Sequence, residues 1–230
     1  MHWFIDENIT EATSSISPDE LRHLRSLRIK PNEEIAITNG KGTVFYCKVL
    51  DPERGGVEFL SVQTKQPMTP RIHLIQALAK GDRDEQALQM AVEMGVASVT
   101  PWQAEHSIVI WAEKAEKNRQ RWQEIANAAM KQSHQAHQTV VESLSKTKDL
   151  KPKGKGIVLD PRAEKPISSF DKGIDELTLL VGPEGGFGST EIQQLNEQGF
   201  ESYRLGSSIL RTSTAGPAAI ASILALTGRW

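Results

Sequence analysis

The chain counts 230 residues, 38% hydrophobic and 24% charged, with a formal net charge of −2, enough apolar material for one large core or two modest ones and nothing of a disordered or fibrous composition. No apolar run approaches the roughly 20 residues a membrane helix needs, and Asp6 and Glu7 fall where a signal peptide is basic and apolar, so a cytoplasmic protein without membrane attachment is expected. One cysteine, Cys47, excludes an internal disulfide and every multi-cysteine zinc motif, and no metal site is signalled.

Residues 1 to about 66 read as short strands and turns. Ser17-Pro18-Asp19-Glu20 predicts a helix start, with a capping residue, a proline in the first turn and two early acids. That helix sets Arg22, Arg25 and Arg28 about a turn apart on one face, inside a basic run that also holds His23. The face suits RNA phosphates, or is an ordinary solvated surface. Asn39-Gly40-Lys41-Gly42 is a hairpin-type turn before the alternating strand Thr43 to Val49, and Val57 to Leu60 forms another strand after Gly55-Gly56. Gln66-Pro67-Met68-Thr69-Pro70 resists regular structure and marks a linker, which divides the chain into 1–68 and 69–230.

From Arg71 the pattern changes to strand, helix, strand. Apolar strands are predicted at 72–79, 97–100, 156–159, 177–181 and 202–205. Helices are predicted from Asp82, with Glu85 completing a capping box, to Gly95, and at about 113–133, 189–198 and 216–226. Such alternation implies an α/β fold with a mainly parallel sheet covered on both faces. Residues 114–155 carry ten Lys/Arg against four Asp/Glu, a second candidate RNA surface, and Lys146 to Lys155 reads as an exposed loop. Ligands of open α/β sheets sit beyond the carboxyl ends of strands, where Leu159-Asp160-Pro161, Val181-Gly182-Pro183 and Leu205-Gly206 all fall. The run Gly182-Pro183-Glu184-Gly185-Gly186 lets the backbone lie close against a ligand. Neither G-x-G-x-x-G after a strand nor G-x-x-x-x-G-K-[ST] occurs, which argues against the Rossmann and P-loop fingerprints.

Leu179 to Phe187, followed by Leu205-Gly206-Ser207-Ser208-Ile209-Leu210-Arg211-Thr212-Ser213-Thr214-Ala215, resembles the ribosomal RNA (uracil-N3)-methyltransferases of the SPOUT superfamily, the ribosomal RNA small subunit methyltransferase E family. Lys80-Gly81-Asp82 through Glu93-Met94-Gly95-Val96 and Pro101, and Ala128-Ala129 to Gln132, resemble that family's middle region. His23 with Ser26-Leu27-Arg28, and Gly40 with Gly42, resemble its small RNA-binding domain, so the likeness covers nearly the whole chain.

The resemblance implies a SPOUT-type α/β domain with a trefoil knot over about 157–230, preceded by a small β-rich PUA-like domain. It implies S-adenosylmethionine as cofactor, held by Leu159, Gly182, Pro183, Glu184, Gly185, Leu205, Gly206, Ile209 and Leu210, with Arg22, His23, Arg25 and Arg28 on the RNA. A homodimer is implied, as is methylation of N3 of a uridine in 16S ribosomal RNA of the small ribosomal subunit. Uracil N3 must lose its proton, and the resulting charge spreads onto the ring carbonyls, where a fixed guanidinium stabilises it. Arg211 is the candidate, with a phosphate clamp or a structural ion pair as its other readings. Glu184 either orients the glycine-rich loop or is an exposed acid at a helix start.

The chain departs from the family where Ser213 replaces a glutamate, where Lys131-Gln132 replaces an acid followed by glutamine, and near Gln135 and His137, where the family has arginines. These changes leave the general base unassigned. Two alternatives stay open, a SPOUT enzyme of other specificity and a non-catalytic RNA-binding protein.

Overall fold

A computed structural model describes residues Met1–Trp230, which fall into two units, Met1–Pro67 with Met130–Gln138, and Met68–Ala129 with Thr139–Trp230. In the first unit β1 (His2–Ile5), β2 (Glu34–Thr38), β3 (Thr43–Asp51) and β4 (Gly56–Thr64) form one sheet in that order. The β1–β2 pair is parallel and the other two are antiparallel. Asn39 fixes the β2–β3 turn, its side-chain oxygen accepting from the amides of Lys41 at 2.8 Å and Thr43 at 3.0 Å. Helix α1 (Pro18–Ser26) drops Leu24 into a core of Phe4, Ile35, Ile37 and Val49, all without solvent exposure. Cys47 belongs to that core, and burial pushes its thiol up to about 11, which makes it an inert packing residue. Ser17 stands at the N-cap, but its hydroxyl makes no capping bond.

The division at 68/69 does not include the return of residues 130–138 to the first unit. That segment is joined by the Thr38 hydroxyl donating to the Ala136 carbonyl at 2.8 Å, and by amide bonds from Gly42 to Ala136 and from Gln138 to Gly40. A contact spanning 98 residues of chain leaves no periodic signal.

The second unit is a seven-stranded sheet in the order β11-β9-β10-β5-β6-β7, with the short β8 also on β6. Its strands are β5 (Arg71–Ala77), β6 (Ser98–Gln103), β7 (Val140–Val141), β8 (Ser145–Lys146), β9 (Lys155–Leu159), β10 (Glu176–Val181) and β11 (Phe200–Tyr203). Every pairing is parallel, and β5, β9 and β10 are buried along nearly their whole length, as a sheet covered on both faces requires. The helices are α2 (Arg83–Glu93), α3 (Ala115–Gln132), α4 (Ser189–Glu197) and α5 (Thr212–Leu226). Helices α2 and α5 pack together, and α4 packs on β11. None is long and apolar enough to cross a membrane.

Helix α2 ends in a Schellman motif: Gly95 has φ +84°, its amide reaches the Val92 carbonyl at 2.8 Å, and the Val96 amide reaches Ala91 at 3.3 Å. Its start differs from the expected capping box. Asp82 adopts a left-handed backbone, φ +57°, and makes no capping bond. Asp84 ties the turn instead, accepting from the amides of Ala79 at 3.0 Å and Glu85 at 2.9 Å, and burial raises its pKa. Glu85 pairs with Arg121 at 2.7 Å. Helix α5 begins four residues before the predicted Gly216, so Pro217 lies inside it. Between Lys146 and Lys155 the chain is not wholly an exposed loop, because Leu150 is buried in the second unit's core.

His73 on β5 is 5% exposed, with Nδ1 2.7 Å from the Ser98 hydroxyl and Nε2 3.0 Å from Glu176. Burial lowers its pKa below 6.5, and the Glu176 hydrogen bond opposes that shift. The folded state therefore binds this proton less readily than the unfolded chain, so the stability it contributes is complete above that value and is lost as pH falls below it. Thermal unfolding followed from about pH 7.5 to about pH 5.5 should show a fall in Tm that is smaller in His73→Gln. Parallel pH profiles for the two proteins would remove His73 from this role.

Candidate active site at the carboxyl ends of three strands

Because β11, β9 and β10 are neighbours and all parallel, the loops leaving their carboxyl ends emerge on one side. They enclose a cavity of about 500 Å³. Leu159 to Arg162 form one wall, Val181 to Phe187 a second, and Leu205, Gly206 and Ser208 to Thr212 a third. The residues singled out from the sequence, Leu159, Gly182, Pro183, Glu184, Gly185, Leu205, Gly206, Ile209, Leu210 and Arg211, all line this cavity.

The β10 loop folds tightly on itself. A β-carbon at Gly182 would stand 2.8 Å from the Phe187 ring, and one at Gly185 would stand 2.9 Å from the His106 β-carbon, so any side chain there must displace the loop. Phe187 in turn stacks on the fully buried Trp102, ring centroids 5.9 Å apart. Glu184 accepts from the Lys80 amide and the Arg83 guanidinium, each at 3.3 Å. It therefore anchors the glycine-rich loop to the β5–α2 turn rather than standing free as a helix-start acid.

Asp160, expected at the β9 strand end, and Arg162, which the sequence did not single out, form the wall after β9. The buried Asp160 carboxylate accepts from the Arg162 amide, Nε and Nη2 at 3.0, 3.0 and 3.1 Å, and this bond raises the guanidinium pKa. Their signal was an Asp-Pro-Arg run closing an apolar strand.

The third loop is held differently. No main-chain amide from Leu205 to Arg211 donates a hydrogen bond within the chain, and the first turn of α5 follows directly with its own free N–H groups. Ile209 is 83% exposed and Leu210 36%, although both are apolar. Arg211 occupies the N-cap of α5, its carbonyl accepting from Thr214 at 2.8 Å and Ala215 at 2.9 Å. Its exposed guanidinium has no partner in the chain.

Thr212 joins this loop to the other one. Its hydroxyl donates to the Gly182 carbonyl at 2.9 Å and accepts from Gln76 Nε2 at 2.9 Å. Gln76 is fully buried in β5, and its second amide hydrogen goes to the Ala77 carbonyl. The sequence reading passed over Gln76, although a polar side chain inside the apolar run 72–79 was a signal, since a buried amide needs partners.

Residues 65–224 match the RNA methyltransferase domain family, and residues 16–60 match the RNA methyltransferase PUA domain family. Over 234 residues the chain is 30% identical to ribosomal RNA small subunit methyltransferase E of Mycobacterium bovis, an alignment covering 96% of this chain and 89% of that protein. The chain belongs to the ribosomal RNA small subunit methyltransferase E family. A crystal structure of the Neisseria gonorrhoeae member bound to S-adenosylmethionine superposes with a TM-score of 0.89 at 33% identity, covering 98% of each chain. A Legionella pneumophila protein in complex with the same cofactor gives 0.86 at 28% identity, covering 97% of this chain and 96% of its own.

Within the family, the cavity fits S-adenosylmethionine on its own features. A purine offers ring-nitrogen acceptors and flat apolar faces, and the third loop lines the cavity beside Leu159, Leu205 and Leu210 with amides that bond to nothing within the chain.

Of two departures from the family pattern, one has a structural use here and the other is simply buried. Lys131 bonds both Glu20 oxygens, at 2.8 and 3.1 Å, with both side chains largely buried, and Ser213 is buried in the first turn of α5. The α1 residues expected on RNA are placed unequally. Arg22 is exposed on the helix, and Arg28 follows it in a left-handed backbone, φ +55°. Arg25 donates through Nε to the Glu53 carbonyl at 3.0 Å. His23 Nδ1 lies 3.2 Å from Glu20 and 3.0 Å from Lys131, its ring tilted against Phe4.

Thr212→Val keeps the side-chain shape but strips both Gln76 and Gly182 of their shared partner, leaving buried polar groups unpaired. Urea unfolding should show a loss of about 1–3 kcal/mol, and an unchanged midpoint would show that the hydroxyl carries no such load.

Proposed function

We propose that this chain is an S-adenosylmethionine-dependent methyltransferase that modifies N3 of a uridine in 16S ribosomal RNA of the small subunit. The observation that carries the reading is the juxtaposition of the unpaired Arg211 guanidinium with a cavity lined by apolar side chains and by a loop whose amides bond to nothing within the chain. When bound, S-adenosylmethionine supplies a methyl group on a cationic sulfur. Phe187, Leu159 and Leu210 wall off water, and the amides of 205–211 and the fixed Gly182 loop orient the cofactor. Arg211, set at the α5 N-terminus by its own backbone bonds, takes the uracil carbonyl oxygens on which charge gathers as N3 loses its proton. A uridine in folded RNA must be turned out to reach that depth.

The same reading assigns residues 1–68 to a PUA-like RNA-binding domain, with Arg22, His23, Arg25 and Arg28 facing RNA, and 69–230 to the methyltransferase domain. A trefoil knot over about 157–230 is supported by the return of α5. After β11 at the sheet edge, the chain comes back past β9 to bond Gly182 through Thr212, and a β-carbon at Gly216 would stand 3.4 Å from Val181 and 3.5 Å from Leu74. The exposure of Ile209 and Leu210 beside the cavity supports a homodimer in which a second copy covers them. The place of work is the cytoplasm, where the small ribosomal subunit is found.

Methyl transfer from labelled S-adenosylmethionine to unmodified small ribosomal subunits, read by nucleoside mass spectrometry, should yield N3-methyluridine. A different methylated nucleoside would replace the specificity, and no transfer with cofactor and RNA both bound would leave a binding protein. Arg211→Ala is expected to lower kcat by about 10²–10³ with cofactor affinity retained, whereas wild-type turnover would take Arg211 out of the mechanism.

A further inference from the structure

The first unit holds a cluster that the reading above leaves unused. Trp3, 6% exposed, carries the His134 ring stacked on it, centroids 5.3 Å apart and planes 9° from parallel. His134 is exposed, its ring nitrogens bond to nothing in the chain, and its backbone is left-handed at φ +57°. That backbone closes α3 in a Schellman motif, the His134 amide reaching the Lys131 carbonyl at 3.4 Å and the Gln135 amide reaching Met130 at 3.1 Å. The Lys65 ammonium lies 4.8 Å from the Trp3 ring centroid, and the Lys65 carbonyl accepts from His137 Nε2 at 2.9 Å. Lys41 is brought to the same place by its β-bridge with His137.

The charges here differ from those on α1. Lys131 and His23 meet Glu20, and Arg25 meets Glu53. Lys41, Lys65, His134 and His137 have no carboxylate within ion-pair distance. A Lys65 ammonium on the aromatic pair, a Lys41 backbone bridged to His137 nearby, neither lysine paired with a carboxylate, and an open outer His134 face combine the elements that single-stranded nucleic acid uses, phosphate neutralisation and base stacking.

We propose that Trp3, His134, Lys41 and Lys65 form a docking site for an unpaired RNA nucleotide, the base stacking on the outer face of His134 and the flanking phosphates meeting the two lysines. The proposal rests on the reading of the chain as an RNA methyltransferase and adds an RNA contact away from the methyl-transfer cavity.

The test uses the full-length protein, a labelled single-stranded oligouridylate for direct binding, and unmodified small ribosomal subunits for KM. His134→Asn tolerates the left-handed backbone but removes the ring, so folding is preserved. It should weaken oligouridylate binding about 5–100-fold and raise KM for subunits, with S-adenosylmethionine affinity untouched. His134→Tyr restores an aromatic face and should recover most of the binding. Lys41→Ala and Lys65→Ala should each reduce the slope of log affinity against log salt by about 0.7. Oligouridylate affinity unchanged in His134→Asn overturns the docking site while leaving the methyltransferase reading intact. Wild-type protein that binds cofactor but neither oligouridylate nor subunits overturns both.

Discussion

The Thr212 hydroxyl accepts from the buried Gln76 amide and donates to the Gly182 carbonyl, and through that one oxygen three separate pieces of chain share a fixed geometry. Gly182 opens the glycine-rich loop, Thr212 opens the C-terminal helix, and Gln76 sits in the strand between them and the rest of the sheet. Arg211 immediately precedes Thr212, so its main chain inherits the same constraint. A hydroxyl supplies one donor and can accept at once, and no apolar residue at 212 does both. The buried Gln76 Oε1 lacks a partner, so the arrangement keeps a polar group at some cost where an apolar one would pack more simply.

The two sides of the cavity differ in how their backbone is satisfied, and this difference defines what the site can do. The glycine-rich loop is pinned by Glu184 to Lys80 and Arg83, and by Phe187 to Trp102. The 205–211 loop makes no amide bonds of its own and displays Ile209 and Leu210 to solvent. One wall is a rigid template. The other is a loop of unbonded amides with apolar neighbours, stable only because solvent or a ligand can take its N–H groups. Cations are divided in a parallel way: Lys131, Arg25 and Arg162 are committed to internal acceptors, while Arg211 and the lysines near Trp3 are not.

Much of this was legible in the sequence because it is local. The parallel sheet followed from continuous apolar runs alternating with helices, and the cavity followed from three strand ends carrying Leu159, Gly182 and Gly206. What escaped depends on distant partners or on a backbone sign. The capping box at Asp82 failed because a left-handed Asp82 cannot present its carboxylate to the helix, a choice that Asp84 and the Ala79 amide make together. Helix α5 starts at Thr212 because Gly216-Pro217 is tolerated inside a helix packed on β5 and β10, where the dipeptide alone reads as a beginning. Residues 130–138 join the first unit through contacts nearly a hundred residues apart, and the stacked His134 belongs to that same long return. Lys131, read from its position as a departure from a family pattern, shows its use only beside Glu20.

The central claim is that the unbonded amides of the 205–211 loop seat the cofactor. Hydrogen–deuterium exchange of those amides, with and without saturating S-adenosylmethionine, tests it most directly. The account predicts fast exchange in the free protein and strong protection across 205–211 on binding, with the anchored glycine-rich loop changing less. Bound cofactor that leaves exchange across 205–211 as fast as before would contradict it.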